Sequence, residues 1–206
     1  MKRRLMGHVQ QGGDFLKVDL RSGQCFQSVW EGVSFTDSRL SMVHFVNSRW
    51  VNCRLTDTDI YGANFLSGSF HDVTFTGCDG EQASFAGAVL RNVTFRSCRL
   101  AYSSFVNASF HDVLFDGCEL RGADLDVAEA TGVQYNKCSL WSAKTAFNCT
   151  FWNSGLGVED CQRFAALLAR VHPDPASKEI LIKLAGEATY RAVDRLMAPQ
   201  PDDTEF

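Results

Sequence analysis

The sequence predicts an all-β solenoid, a quadrilateral β-helix with four five-residue sides per coil, followed by a C-terminal two-helix appendage. Three observations carry this. Every fifth residue from Phe15 to Leu140 is large and apolar, 26 positions in one phase, broken in bulk only at Gly80 and Ala130 and merely small at Cys25. Two positions before each stands a second register, from Gly13 to Cys138, that holds only Gly, Ala, Ser, Thr, Cys or Val. Like segments then recur every twenty residues, as in His71-Asp72-Val73-Thr74-Phe75, Arg91-Asn92-Val93-Thr94-Phe95 and His111-Asp112-Val113-Leu114-Phe115. A period of five is neither the 3.6 of a helix nor the 2 of a strand, so it marks a repeat array. Twenty is four times five, so like residues stack on like in a coil of four sides.

The solenoid is expected over residues 13–156. The large residue of each side points inward, with Phe35, Phe75, Phe95, Phe115, Leu100 and Leu120 as core positions. The small residue two places earlier also points inward, and limited room inside explains its size. Neighbouring coils lie about 4.8 Å apart and exchange backbone hydrogen bonds, so stacking rather than any single repeat supplies the core. Residues 15–140 make roughly 6.3 coils, a rod of about 30 Å.

Cys53, Cys78, Cys98, Cys118 and Cys138 fall in the small register, and none of the eight cysteines forms a Cys-x-x-Cys pair. Side chains stacked one coil apart sit about 4.8 Å apart at Cβ, beyond the ~3.5–4.5 Å a disulfide prefers, and a straight column cannot surround zinc tetrahedrally. They read as reduced, small core residues. At Gly80 the column of large residues requires either a void or neighbours that lean in.

Past Leu140 the ladder thins. Cys149-Thr150-Phe151 and Ser154-Gly155-Leu156 lie one residue out of phase, implying an inserted residue between Trp141 and Asn148. Val158, Cys161, Phe164, Ala165, Leu168 and Val171 then follow helical spacing up to Pro173. Asp174-Pro175 reads as an N-cap followed by proline at the first position of a second helix. These helices, expected over 157–197, cap the solenoid end and join two copies, with Leu181, Leu184, Tyr190, Val193, Leu196 and Met197 as the dimerisation residues. Residues 198–206 read as a disordered acidic tail.

Composition narrows the function classes. The formal net charge of −4 predicts neither a nucleic-acid nor a membrane-surface binder. The start has no apolar run behind its basic residues, and no segment approaches the ~20 apolar residues of a membrane helix. A cytoplasmic protein is expected, with secretion lacking a cleavable signal as the alternative. No nucleophile elbow, phosphate loop, zinc-protease motif or dinucleotide fingerprint is present, so no enzyme activity and no cofactor or metal is expected. His71, Arg91 and His111 form a column beside Asp72, Asn92 and Asp112, read as a solvated edge, since the two histidines lie roughly 10 Å apart. Trp30 and Trp50 stack in the core. Trp141 and Trp152 lie by the phase shift and read as packing residues, with a partner-facing role as the sharper alternative.

Ala63-Asn64-Phe65-Leu66-Ser67, Ala83-Ser84-Phe85-Ala86-Gly87 and Ala123-Asp124-Leu125-Asp126-Val127 resemble the pentapeptide-repeat family, whose consensus is Ala-Asp/Asn-Leu/Phe-x-x. The resemblance implies a right-handed coil. One branch of the family protects bacterial DNA gyrase from quinolones or related toxins, through a rod whose width and negative potential imitate duplex DNA and whose helical ends join two copies. By this resemblance the chain is a non-enzymatic interaction rod with a protein partner, a type II topoisomerase in the narrower reading, and a homodimer. The alternative is a general scaffold or secreted effector that holds another protein on one face. Residues 1–145 carry 14 Lys+Arg against 15 Asp+Glu, so the whole rod lacks a strong anionic field. Acid concentrates instead at Asp37, Asp57, Asp59, Asp79, Glu81 and Glu119 on adjacent columns, which are the expected interaction residues. The unbroken phase leaves no place for long surface loops, so any likeness to the gyrase-protecting branch is to its loopless kind.

Overall fold

The computed structural model describes residues 5–127 and 129–139, together with Pro175 and Glu179. The chain divides into two compact units, Met1–Gly155 and Leu156–Phe206. In the first, all described strands run parallel in one coiled sheet, an all-β solenoid of about six turns. The strands are β1 (Val9–Leu16), β2 (Val29–Thr36), β3 (Arg49–Val51), β4 (Arg54–Thr56), β5 (Ser69–His71), β6 (Thr74–Thr76), β7 (Val89–Arg96), β8 (Ser109–Asp116), β9 (Glu129–Thr131) and β10 (Gln134–Asn136). Every pairing joins residue i to residue i+20: Phe15 to Phe35, Trp30 to Trp50, Phe75 to Phe95, Phe95 to Phe115. In the second unit Pro175 and Glu179 are helical. The phase shift after Leu140, both expected helices as elements, the tail, Trp141, Trp152, and the dimerisation residues Leu181, Leu184, Tyr190, Val193, Leu196 and Met197 lie outside the described residues.

The four sides are not equivalent, although the sequence treats them alike. Two consecutive sides carry the extended strands, which run as single eight-residue strands in β1, β2, β7 and β8. The other two meet their neighbours through isolated parallel bridges, such as Arg39 to Asp59 and Asn64 to Ser84. On these sides the inward large residue accepts a turn hydrogen bond from the residue three ahead: Ala63 N–H to Ile60 O at 3.0 Å, Ala88 N–H to Phe85 O at 3.0 Å. Between them, at the third turn position, stands a residue with positive φ, as type II turns require: Gly62 at 56° and Gly87 at 62°. At the strand-side corners the chain also passes through the left-handed region, at Asn52, Asp72, Asn92 and Asp112.

Inside, aromatic rings stack coil on coil. Phe45, Phe65, Phe85 and Phe105 form one stack with centroids 4.8–5.3 Å apart. Phe75, Phe95, Phe115 and Tyr135 form another at 4.7–5.0 Å. The stacks meet edge to face, as Phe85 does with Phe95 at 5.7 Å and 81°. Both geometries suit the ring quadrupole. Trp30 and Trp50 stack at 5.4 Å, and each indole N–H donates to the serine two residues earlier, Ser28 at 2.8 Å and Ser48 at 2.9 Å. Those serines therefore serve as acceptors for a buried donor as well as being small. Leu100 and Leu120 are fully buried. At Gly80 the neighbours lean in: a Cβ there would stand 2.8 Å from Leu100 Cδ2 and 3.3 Å from Ile60 Cδ1. No void exists at that position.

The column Ser38, Thr58, Cys78, Cys98, Cys118 and Cys138 shows why its members are polar. Each side chain donates toward two carbonyls, one two residues back and one on the previous coil. Thr58 Oγ1 lies 2.9 Å from Thr56 O and 3.2 Å from Phe35 O, and Cys118 Sγ lies 3.3 Å from Phe95 O. All six described cysteines are free thiols. Cys138 is half-buried, the other five buried. Among the described residues no buried side-chain N or O lacks a hydrogen-bond partner.

Candidate interaction surface

Because inward positions are filled by the core, each side offers two outward positions plus its corner, repeated one coil apart in straight columns. Backbone hydrogen bonds between coils fix these columns, so the outward side chains start from a rigid grid.

The expected acidic residues gather on one side and its flanking corner. Asp19, Arg39, Asp59, Asp79, Arg99, Glu119 and Ser139 succeed one another in a single column of parallel bridges. Basic residues lie between the acids. Arg99 reaches Asp79 at 3.0 Å and Glu81 at 3.1 Å, Arg121 lies 3.8 Å from Glu119, and Lys17 lies 3.6 Å from Asp37. Arg21 hydrogen-bonds Asp19 and holds its carboxyl down at about 2. Asp59 accepts the Tyr61 N–H at 3.0 Å, while Asp57 occupies a left-handed corner with φ of 47°. The carboxylates thus form a mixed-charge ladder rather than an anionic stripe. Pairs this exposed contribute little stability each.

Around the next corner lies a side that sequence reasoning passed over. Its outward column reads Phe26, Val46, Leu66, Ala86, Val106, and the column beside it Gln24, His44, Asn64, Ser84, Ser104. No Asp, Glu, Lys or Arg interrupts these two columns until Asp124 and Asp126. Leu66 is 40% exposed, and Met42 and Tyr102 on the shared corner are 53% and 51% exposed. Arg121 sits over the Tyr102 ring at 5.4 Å. The signal was available: five apolar residues twenty apart at an outward position contradict the alternation that puts polar residues outside.

The histidine edge separates as expected. His71 Nδ1 pairs with Asp72 at 2.7 Å, and His111 Nδ1 lies 3.1 Å from Thr131 Oγ1. Among the described residues no three His, Cys, Asp or Glu side chains group as metal ligands. Burial pushes the Cys25 thiol up to about 11 and raises Cys53, whereas the hydrogen bond with Cys98 lowers Cys78. At Cys138 the hydrogen-bonding Cys118 neighbour, with burial, raises the thiol as well. Among the described residues no helix is long and apolar enough to cross a membrane.

Comparison with solved structures returns other repeat solenoids. A trypsin-treated variant of QnrB1, a plasmid-mediated fluoroquinolone resistance protein, aligns at 13% identity with TM-score 0.36, covering 71% of this chain and 91% of that one. Full-length QnrB1 aligns at 14% and 0.30, covering 76% and 85%. HetL, involved in heterocyst differentiation regulation in the cyanobacterium Nostoc sp. strain PCC 7120, aligns at 14% and 0.25, covering 69% and 89%. At such scores the fold rests on this chain's own pairing. No curated protein matches the sequence. Two family models do: one for a pentapeptide repeat region over residues 68–145, and one for pentapeptide repeats in eight copies over residues 38–77. Together they span more than half of the sequence, and this chain belongs to the pentapeptide-repeat family.

Proposed function

We propose that the chain is a non-enzymatic protein-interaction rod that binds its partner through the mixed-charge ladder. The observation that carries this reading is the clamp at Arg99, which holds Asp79 and Glu81 from the neighbouring coil in fixed positions. Charged groups fixed on a rigid grid cost little ordering entropy on binding, and complementary charge sets register and on-rate. The narrower reading is a DNA mimic that binds a type II topoisomerase, acting in the cytoplasm through Asp37, Asp57, Asp59, Asp79, Glu81 and Glu119. Its support is the resemblance to the gyrase-protecting branch and the stacking of these carboxylates on adjacent columns; the interleaved arginines weigh against it.

A gyrase supercoiling assay with and without a fluoroquinolone separates the two. Relief of drug inhibition by the protein, lost in Asp59→Arg, supports the topoisomerase reading. No effect on supercoiling in either condition removes that reading and leaves the rod. A scaffold or effector role is the second reading, favoured by the uncharged side with Leu66, Met42 and Tyr102 exposed. Capture of a non-topoisomerase partner that is lost in Leu66→Asp, but kept in Asp59→Arg, would select it. Dimerisation through Leu181, Leu184, Tyr190, Val193, Leu196 and Met197 is part of the proposal. Removing residues 174–206 should halve the mass by light scattering, and an unchanged mass refutes it.

A further inference from the structure

Among the described residues, the N-terminal end of the solenoid is open in two independent ways. First, its core is unfinished. A cavity of about 390 Å³ opens among Leu5, Phe15, Val18, Leu20, Trp30 and Phe35, and the inward column that continues as Trp30, Trp50 and Phe70 begins with Gln10. Phe15 and Leu20 are only half-buried, whereas Phe35 and Leu40 one coil on are fully buried. Second, among the described strands β1 pairs with β2 alone. Val29 N–H donates back to His8 O and Arg39 N–H to Val18 O. The residues one coil earlier, Val9 and Asp19, carry amides of the same orientation, which point off the end. By the same logic, the carbonyls of His71 and Arg91 accept from the preceding coil, and Gln11 stands in their column at the end.

From this geometry we infer that the N-terminal coil docks on the N-terminal coil of a second copy, head to head, with β1 pairing antiparallel to its mate. A two-fold axis along the diagonal of the square, through the corner at Gly12 and Gly13, exchanges the two strand-bearing sides and reverses the chain. Residue i then faces residue 25−i of the mate. Donors meet acceptors: Val9 N–H faces Leu16 O, Asp14 N–H faces Gln11 O, and each contact occurs twice. The same register sets Val9 beside Leu16, which are 58% and 63% exposed, and opposes no like charges along β1. A foreign strand could satisfy the same edge, but only the chain itself supplies both the donor row and its mirrored acceptor row around an identical corner.

The area fits a concentration-dependent contact. A five-residue side spans roughly 16 Å of backbone, and with outward side chains a square end presents on the order of 600 Å². Two copies therefore bury roughly 1,200 Å², the lower end for specific interfaces. The unpaired edge adds a reason for closure, because open strand edges template association.

The inference is independent of the partner readings and of the C-terminal dimer. Its test is a disulfide trap in the full chain carrying Val9→Cys with Leu16→Cys. Facing residues of an antiparallel pair have Cα atoms about 4.5–5.5 Å apart, within the ~4.4–6.8 Å a disulfide spans. Oxidation should give a covalent dimer on a non-reducing gel, reversed by thiol, with little from either single variant. In the chain with its native cysteines, Leu16→Lys should lower the light-scattering mass at high concentration, about two-fold where the N-terminal contact alone joins copies and from an open chain to a dimer where the C-terminal helices join them as well. Both positions are exposed, so the coil itself survives these changes. Failure of the double variant to cross-link, equal cross-linking by the single variants, or a mass untouched by Leu16→Lys would each overturn the inference.

Discussion

Replacing Gly80 with leucine would complete the column of large inward residues, and the structure gives the sign of the effect. If the glycine left a void, the added side chain would bury its apolar surface and stabilise the protein by about 2 kcal/mol. The neighbours exclude this. A Cβ at Gly80 already stands 2.8 Å from Leu100 Cδ2, 3.3 Å from Ile60 Cδ1 and 3.4 Å from the Arg99 carbonyl oxygen. The two side chains are fully buried and the third contact is backbone, so neither has free space to retreat into. Overpacking of this kind costs about 1–3 kcal/mol. We expect Gly80→Leu to lower the midpoint of equilibrium urea unfolding by that amount, with an unchanged slope. The competition for space can be isolated by a cycle with Leu100→Ala, which alone should cost about 2–5 kcal/mol. In that background the new leucine fills the space vacated at Leu100, so its cost should shrink or reverse, a coupling of about 1–3 kcal/mol. A raised midpoint for Gly80→Leu, or additive effects in the cycle, would refute the packing argument.

Three further outcomes follow from the same structure. Thr58→Val should destabilise by about 1 kcal/mol in urea unfolding, because the hydroxyl shared between the Thr56 and Phe35 carbonyls is removed while the methyl bulk stays. Ser97→Gly should raise the thermal midpoint, since Ser97 holds a φ of 51° in a column where Gly77 and Gly117 occupy the same corner; the relief is about 1 kcal/mol. Stability should also fall in alkali. The fold raises the Cys25 thiol from 9.0 to about 11, so its contribution is full below pH 9 and is lost as pH rises from 9 through 11, on the order of 3 kcal/mol, because the unfolded chain ionises first. Unfolding midpoints across that window should drop in the native chain and drop less in Cys25→Ala.

The fold was legible because its determinants are local and periodic. Phe75, Phe95 and Phe115 advertise the stack by spacing alone, and the twenty-residue echo fixes the i to i+20 register that the strands adopt. The cysteines were legible as free thiols but not as donors. Ser38, Thr58 and Cys78 differ in size and share only the ability to reach two carbonyls, a need visible once the backbone is placed. The Trp30 and Trp50 acceptors could have been read from Ser28-x-Trp30 and Ser48-x-Trp50, since a buried indole N–H requires a partner. The candidate site was legible only in part. Period twenty places Arg99 one coil above Asp79, so interleaved charge is legible, but that one guanidinium reaches both Asp79 and Glu81 is visible only once the side chains are placed. The apolar side recurs every twenty residues, but Phe26, Val46 and Leu66 directly follow the inward Cys25, Phe45 and Phe65, so their outward direction shows only once the coil is built.

A third register, at the corners, is as informative as the two inward ones, and it explains where regularity weakens. Corner residues one step past each outward pair take positive φ from Lys17 to Lys137, and Gly, Asn and Asp hold most of these places because they reach the left-handed region at least cost. Val127 stands at such a corner, and a β-branched side chain is the least suited to it. There the turn changes. Asn107 N–H, one coil earlier, donates to Asp126 O of the next coil at 2.7 Å, whereas Val127 N–H turns back to Leu125 O at 2.7 Å. Val127 is also buried at 3% exposure, although Asn107 at the same corner is exposed. At this corner the valine is buried and its amide bonds within its own coil. Its place, thirteen residues before Leu140, means the coil loses one of its four regular corners before the five-residue phase itself gives out. The regular corner returns at Gly132 and Lys137, with φ of 64° and 50°, so the irregularity belongs to Val127 itself and not to the coil that carries it.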